Sequence, residues 1–410
     1  MPIDFPIYMD NQATTRVDPR VLEAMLPYFG ERYGNAGSTS HRYGWEAREA
    51  VDRARESIAA AIGAEPREIV FTSGATESNN LALRGVAERA RSRSPSIVPH
   101  IVSVVTEHKA VLDPLEFLHR HGCEVTRLSV EQSGSGDGRA RNAQAGLLAP
   151  EKVAATIREN TVLVSVMLAN NEIGAIQPLA EIGTICHERG ILLHSDATQA
   201  VGKVPVDVDA LNVDLLSFSA HKIYGPKGIG ALFVRRRAPI VKLEPQIYGG
   251  GQENGFRSGT ANVPGIIGFA RALELCVAEM PTEASRLAKL RNRLYQGLID
   301  RLPGIQLNGP AIDAPELRLA HNLNLSFGYV EGEALLLDMQ ARLAVSAGSA
   351  CTSANPEPSH VLRALGLSDD VVRSSLRFGL GRFNTDVEVE AAIEIVSDSV
   401  NRLRKMSTMA

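Results

Sequence analysis

The chain has 410 residues, with 43 Lys and Arg against 47 Asp and Glu, so its net charge of −4 draws it neither to nucleic acid nor to an anionic membrane surface. Apolar residues at 44% and charged residues at 22% are the balance of a globular protein, and the length predicts two domains or one large domain with a satellite. The longest apolar stretch, residues 162–169, is far shorter than the roughly 20 residues of a membrane-spanning helix. Met1–Asp10 carries neither a basic nor an apolar leader segment, and the four cysteines, at 123, 186, 276 and 351, are too scattered for a disulfide framework or a paired metal site. A reducing, cytoplasmic setting is expected, with no membrane or nucleic-acid partner and no metal.

Short apolar runs alternate with helical patterns through the first two thirds. Strands are predicted at 68–72, 100–105 and 161–169, and helices at 75–89, 110–121 and 179–189. Further strands are predicted at 191–195, 215–217 and 230–234. That alternation argues for a mostly parallel sheet covered on both faces, with ligands at the carboxyl ends of its strands. Residues 132–146 are rich in Gly, Ser, Asn and Arg and read as an exposed loop. A long helical pattern follows Asn262. Strands at 320–327 and 374–378 among helices, with a last helix from about Asp386, then suggest a smaller α+β domain.

Several strand ends carry chemistry. Ser217–Lys222 puts hydroxyls, a histidine and a lysine before a Gly/Pro turn, and a lysine held there can bond an aldehyde cofactor through its amine. Alone, Lys222 reads as a surface residue. Asp196 also ends an apolar strand, where a carboxylate suits the ring nitrogen of a pyridoxal cofactor; alone it reads as a helix cap. Thr72–Ser78 runs from strand through glycine into helix, a backbone suited to phosphate, though an ordinary N-cap looks the same. His108 follows a strand and could lie over an aromatic cofactor; a lone histidine is more often structural. Cys123, Cys186 and Cys276 sit among apolar neighbours and read as buried and inert, whereas Cys351 sits among Gly, Ser, Ala and Thr, as a loop nucleophile would.

Taken together, these runs resemble the cysteine desulfurases, in the class V branch of fold-type I pyridoxal-phosphate enzymes. The likeness extends from Tyr8–Thr15 to Arg377–Phe383. It passes through Gly74–Ser78, Thr106–His108, Asn170–Gly174, Asp196–Gln199, Ser219–Lys222, Arg257–Thr260 and Gly348–Ser353. It implies a large domain, residues 15–262, with a mostly parallel seven-stranded sheet between helices. Residues 1–14 and 263–410 would form a smaller α+β domain carrying the catalytic-cysteine loop.

The resemblance also implies roles. Lys222 would hold pyridoxal 5'-phosphate, Asp196 would pair with its ring nitrogen, His108 would stack on the ring, and Asn171 and Gln199 would reach the ring hydroxyl. Ala75, Thr76, Ser219 and His221 would hold the phosphate, joined by Thr260 from the other subunit of a homodimer. Arg377, with Asn171, would bind the carboxylate of L-cysteine. Cys351 would take the sulfur as a persulfide, leaving L-alanine, and pass it to an acceptor such as an iron–sulfur scaffold, with cluster contact through Cys351 during transfer. The segment around Cys351 is similar to that of the iron–sulfur and nitrogen-fixation type. The sequence departs from relatives at Ala36, where many have proline, in the longer 132–146 segment, and in ending soon after Arg402–Arg404. Selenocysteine lyase, a class V aminotransferase and a catalytically silent scaffold subunit are the rival readings.

Overall fold

The computed structural model describes residues 3–134, 142–347 and 358–406. In chain order the elements begin with β1 (Ile7–Tyr8), α1 (Pro19–Met25), α2 (Arg42–Ala61), β2 (Ile69–Thr72) and α3 (Ala75–Arg93). They continue with β3 (His100–Val104), α4 (Lys109–Arg120), β4 (Glu124–Leu128), α5 (Pro150–Thr156), β5 (Thr161–Ser165), α6 (Leu179–Glu188) and β6 (Leu192–Asp196). Then come β7 (Leu215–Ser219), β8 (Gly230–Val234), α7 (Val263–Arg301), β9 (Ile305–Leu307), β10 (Asn322–Phe327), α8 (Gly332–Met339) and β11 (Leu343–Ala344). β12 (Ser346–Ala347), α9 (His360–Ala364), α10 (Asp369–Arg373), β13 (Ser375–Gly379) and α11 (Asp386–Met406) complete the series.

Among the described residues, seven strands form one sheet in the order β2-β8-β7-β6-β5-β3-β4. Pairing is parallel from β7 to β4, and β8 alone runs against both of its neighbours. Parallel strands joined by helices are covered on both faces, which is why β3, β7 and β8 are buried at every residue. On one face Phe71, Val102, Val164, Leu193, Leu216 and Phe218 pack under α2, α6 and α7; truncating the fully buried Leu216 to Ala would cost about 2–5 kcal/mol. β4 was not expected from the sequence. It is an edge strand whose Glu124 and Arg127 face solvent, so it carries no apolar run.

A second sheet, β12-β13-β10-β9, is antiparallel throughout. Its buried Leu323, Leu325, Leu376 and Phe378 share a separate core with Leu290 and Leu294 of α7, Val396 of α11, and Ile7 and Met9 near the N-terminus. The 39-residue α7 joins the two cores: Ile266 to Cys276 pack in the first and Leu287 to Leu298 in the second.

Strand ends differ from expectation by a few residues. The largest difference is β5, which stops at Ser165, although the chain beyond it still bonds along β6, with Val166 N–H on His194 O and Leu168 N–H on Asp196 O. The described ends of 132–146 are anchored rather than freely exposed: Ser133 is buried with its N–H on Leu365 O, and Gly146 N–H reaches Glu131 O.

Candidate active site

The carboxyl ends of the parallel strands open into a cleft of about 550 Å³, within the usual size of a small-molecule site. It is lined by Lys222, Asp196, His108, Asn171, Gln199 and Arg377 together with Ala75, Thr76, Ser219 and His221. Of the expected site residues in the described part of the chain, Thr260 stands apart. Thr260 is exposed and borders a neighbouring cleft with Ser73, Arg257 and Gly228. Cys351, with the rest of 348–357, lies outside the described residues.

The topology explains the convergence. Asp196 is the last residue of β6 and Ser219 the last of β7; α3 starts where β2 ends, and His108 caps α4 after β3. Gly74 precedes α3 at φ 153°, and Gly230 of β8 lies so close that a Cβ there would meet Gly74 Cα at 2.7 Å. That close approach opens the first turn of α3 toward Ser219. Its leading N–H groups, which have no partner within the helix, meet the cleft there at the positive end of a 19-residue helix.

Electrostatics sort the polar groups. Lys222 Nζ donates to Gln12 O and Ala13 O, both at 2.6 Å. Burial and the nearby Lys222, Lys227 and Lys203 push His221 down to about 4, so its ring is neutral and Nδ1 meets Thr14 Oγ1 at 3.1 Å. His108 Nδ1 accepts from Ala110 N–H at 3.0 Å, which places the proton of the neutral ring on Nε2. Asp196 Oδ2 accepts from Asn79 Nδ2 at 2.8 Å and Oδ1 from Thr198 N–H at 3.0 Å. Beside it, burial and the Asp196 charge hold the Glu107 carboxyl well above the usual range, which favours its neutral form. Gln199 bridges two groups: Nε2 donates to Gln12 O at 2.9 Å, and Oε1 accepts from Lys203 Nζ at 3.1 Å. Burial and the nearby Lys222 push Lys203 down to about 7.

Arg377 is 2% exposed. Its Nη2 pairs with Asp10 Oδ1 at 2.8 Å, and its Nη1 donates to Asn171 O at 3.1 Å. Its Nε is buried without a partner among the described residues, as are both side-chain amide atoms of Gln12 and the Thr198 hydroxyl. Unpaired buried polar atoms cost free energy unless a ligand completes them. A carboxylate answers Arg377 Nε. An aromatic aldehyde phosphate fits the remaining wall: an amine in Lys222, an anion in Asp196, and helix N–H groups with Ser219 and His221 at the far end. Pyridoxal 5'-phosphate therefore suits the residues present.

Asn79, Glu107 and Lys203 were not anticipated. Asn79 lies within a plain helical run, and no spacing marks it out. Asp10 and Gln12 lie in Tyr8–Thr15, the stretch that opens the family likeness but to which no role was given. Cys123, Cys186 and Cys276 are buried as expected, with Cys186 pushed up to about 12 and Cys276 to about 11 by burial. Among the described residues, no group of three His, Cys, Asp or Glu could hold a metal ion, and no helix is long and apolar enough to cross a membrane.

Residues 7–392 match the profile of the class-V aminotransferases. A cysteine desulfurase IscS of Anaeromyxobacter dehalogenans (strain 2CP-C) is 54% identical over 404 residues, 98% of this chain and 95% of that protein. A solved NifS-like protein superposes with a TM-score of 0.86 at 37% identity, covering 97% of this chain and all of that one. A structure of SspA in complex with cysteine has a TM-score of 0.76 at 36% identity over 92% of this chain and 99% of that one.

Proposed function

We propose, for a chain that belongs to the class-V aminotransferase family and within it to the cysteine desulfurases, that its cleft takes sulfur from L-cysteine and leaves L-alanine. The convergence of Lys222, Asp196, His108 and Arg377 on one cleft is the observation that carries this reading.

Pyridoxal 5'-phosphate, when bound, supplies the aldehyde that captures the substrate amine and the ring that accepts an electron pair from Cα. Lys222 holds the cofactor and then serves as the base at Cα. Asp196, aimed by Asn79, keeps the ring nitrogen protonated. Asn171 and Gln199 would hold the ring hydroxyl, and Ala75, Thr76, Ser219 and His221 would hold the phosphate. His108, with its ring proton at Nε2, would stack on the ring and move protons. Arg377, with Asn171, receives the substrate carboxylate, so that cysteine enters in one orientation. The Cys351 thiolate forms a new S–S bond to the substrate sulfur as the C–S bond breaks. The electron pair of that bond, with a proton, ends on the carbon that becomes alanine's methyl group. A persulfide remains on Cys351 for a sulfur-acceptor protein such as an iron–sulfur scaffold.

The active unit is a homodimer. Exposed Leu26, Phe29 and Tyr33 follow α1, and exposed Tyr43 and Trp45 lie in the first turn of α2, apolar side chains that a second copy would cover. Exposed Thr260 is then free to complete the partner's phosphate site. Three buried, unpaired cysteines support a cytoplasmic setting.

The test is purification followed by a visible spectrum, addition of L-cysteine, and assays of alanine and sulfide. Alanine formed without a keto-acid acceptor supports the desulfurase over an aminotransferase. Turnover of selenocysteine but not cysteine would favour the lyase, and a colourless, inert protein a silent scaffold subunit. Sedimentation at assay concentration reads the dimer, which an active monomer would refute.

A further inference from the structure

Asp10 does two things at once. Its Oδ1 holds Arg377 Nη2 at 2.8 Å, and its Oδ2 accepts the hydroxyl of Ser346 at 2.7 Å. Ser346 stands directly opposite Arg377 in the β12–β13 pair, so the two side chains share a face. Ser346 is buried, and Cys351 follows it closely in the chain.

The backbone around Asp10 is tightly held. Its carbonyl accepts from Tyr8 Oη at 3.0 Å, and its neighbours bond to β13, with Gly379 N–H on Met9 O at 2.7 Å and Asn11 N–H on Gly379 O at 3.0 Å. Asp10 is therefore a fixed carboxylate beside the guanidinium that receives the substrate carboxylate. Two anions would share one cation, and that arrangement weakens binding. A site built for affinity alone would not include it.

We propose that Asp10 is a positioning residue that couples capture of the substrate carboxylate at Arg377 to the placing of Ser346, the root of the segment that carries Cys351. The inference rests on the roles given above to Arg377 and Cys351. An incoming carboxylate draws the positive charge of Arg377 to itself. Asp10 is then less neutralised and becomes a stronger acceptor for the Ser346 hydroxyl, because a charged acceptor makes the stronger bond. Substrate capture thus tightens the anchor from which the chain leads to the nucleophile.

The test uses the cofactor-loaded enzyme and two probes. L-Alanine, which carries no sulfur, reads the carboxylate site through the spectral change on binding. The mass of the Cys351 peptide after a single turnover with L-cysteine reads sulfur transfer. Ser346→Ala should bind L-alanine within about twofold of the parent yet form the Cys351 persulfide about tenfold more slowly, and Ser346→Thr, which keeps the hydroxyl, should restore the rate. Asp10→Asn keeps shape and removes the competing charge, so it should bind L-alanine about threefold or more tightly while transferring sulfur more slowly. Thermal unfolding of the cofactor-free proteins checks that each variant folds. Parent-rate persulfide formation in Ser346→Ala, no recovery in Ser346→Thr, or unchanged L-alanine affinity in Asp10→Asn would each overturn the coupling. Parent-like L-alanine binding by Arg377→Gln, or sulfur on a cysteine other than Cys351, would instead overturn the underlying roles and the coupling with them.

Discussion

Asn79 Nδ2 donates to Asp196 Oδ2 at 2.8 Å, so a helix that follows β2 aims a carboxylate that ends β6. Asp196→Asn should keep the fold and lose at least about a hundredfold in kcat/KM, because an uncharged partner leaves the ring nitrogen less protonated. Asn79→Ala removes only the aim, and a loss of about tenfold, near 1.4 kcal/mol, is expected. Steady-state kinetics with far-ultraviolet circular dichroism measure both. A loss below tenfold in Asp196→Asn would assign the role to another carboxylate.

Lys222→Ala should have no measurable turnover, since both the cofactor tether and the base at Cα are gone. Borohydride treatment of the loaded parent should fix cofactor mass on the peptide carrying Lys222. No such adduct should appear in the variant. An adduct on a different lysine, such as Lys203, would move the role there.

Cys351→Ser should stay yellow and change its spectrum on adding cysteine, because Lys222, Asp196 and the phosphate cradle are untouched. It should release neither alanine nor sulfide from cysteine at a useful rate, since serine keeps its proton at physiological pH and is a poor nucleophile toward sulfur. Selenocysteine should still be processed, as selenium leaves more readily. Alanine made from cysteine at the parent rate would exclude Cys351 as the sulfur acceptor.

Glu172 gives a dependence on pH. It is buried, its carboxylate accepts from the Ser359 hydroxyl, and burial pushes it up to about 7 against the opposing pull of Arg377 and His108. A carboxyl raised in the folded state favours folding while protonated, so its contribution is full below the ordinary carboxylate range and is lost as pH rises through about 7. Glu172→Gln removes that titration. Its melting temperature should match the parent's near pH 5 and exceed it at pH 8, with a gap of up to about 3 kcal/mol in stability. Parallel melting curves across pH 5–8 would show that Glu172 does not titrate there.

Much of the fold is written in local pattern. β3, β7 and β8 are mostly apolar, broken by His100, Ser103, Ser217 and Ser219, because both faces of the sheet are covered, and such runs stand out in a sequence. The edge strand β4 does not, since its half-exposed residues are chosen for solubility. Cleft residues such as Asp196, which ends β6, and Lys222, just past β7, were legible because each puts an unexpected charge after an apolar strand, and the ordered runs around them match one family. Asn79, Glu107 and Lys203 were not, because a polar residue in a helix or beside a strand looks the same whether it faces solvent or a carboxylate.

The sequence alone determined the chemistry available: an amine, a carboxylate and a histidine at or just past strand ends and a guanidinium within a late strand, in the order of one family. Only the tertiary structure decided which groups would be charged and which would meet. Burial beside Asp196 raises the Glu107 carboxyl toward its neutral form, and His221 stays neutral because it is buried near Lys222, Lys227 and Lys203. Asp10 reaches Arg377, 367 positions away, because the N-terminal segment lies against β13. Burial and long-range contact set these states, and both depend on how distant segments pack, which local spacing does not record.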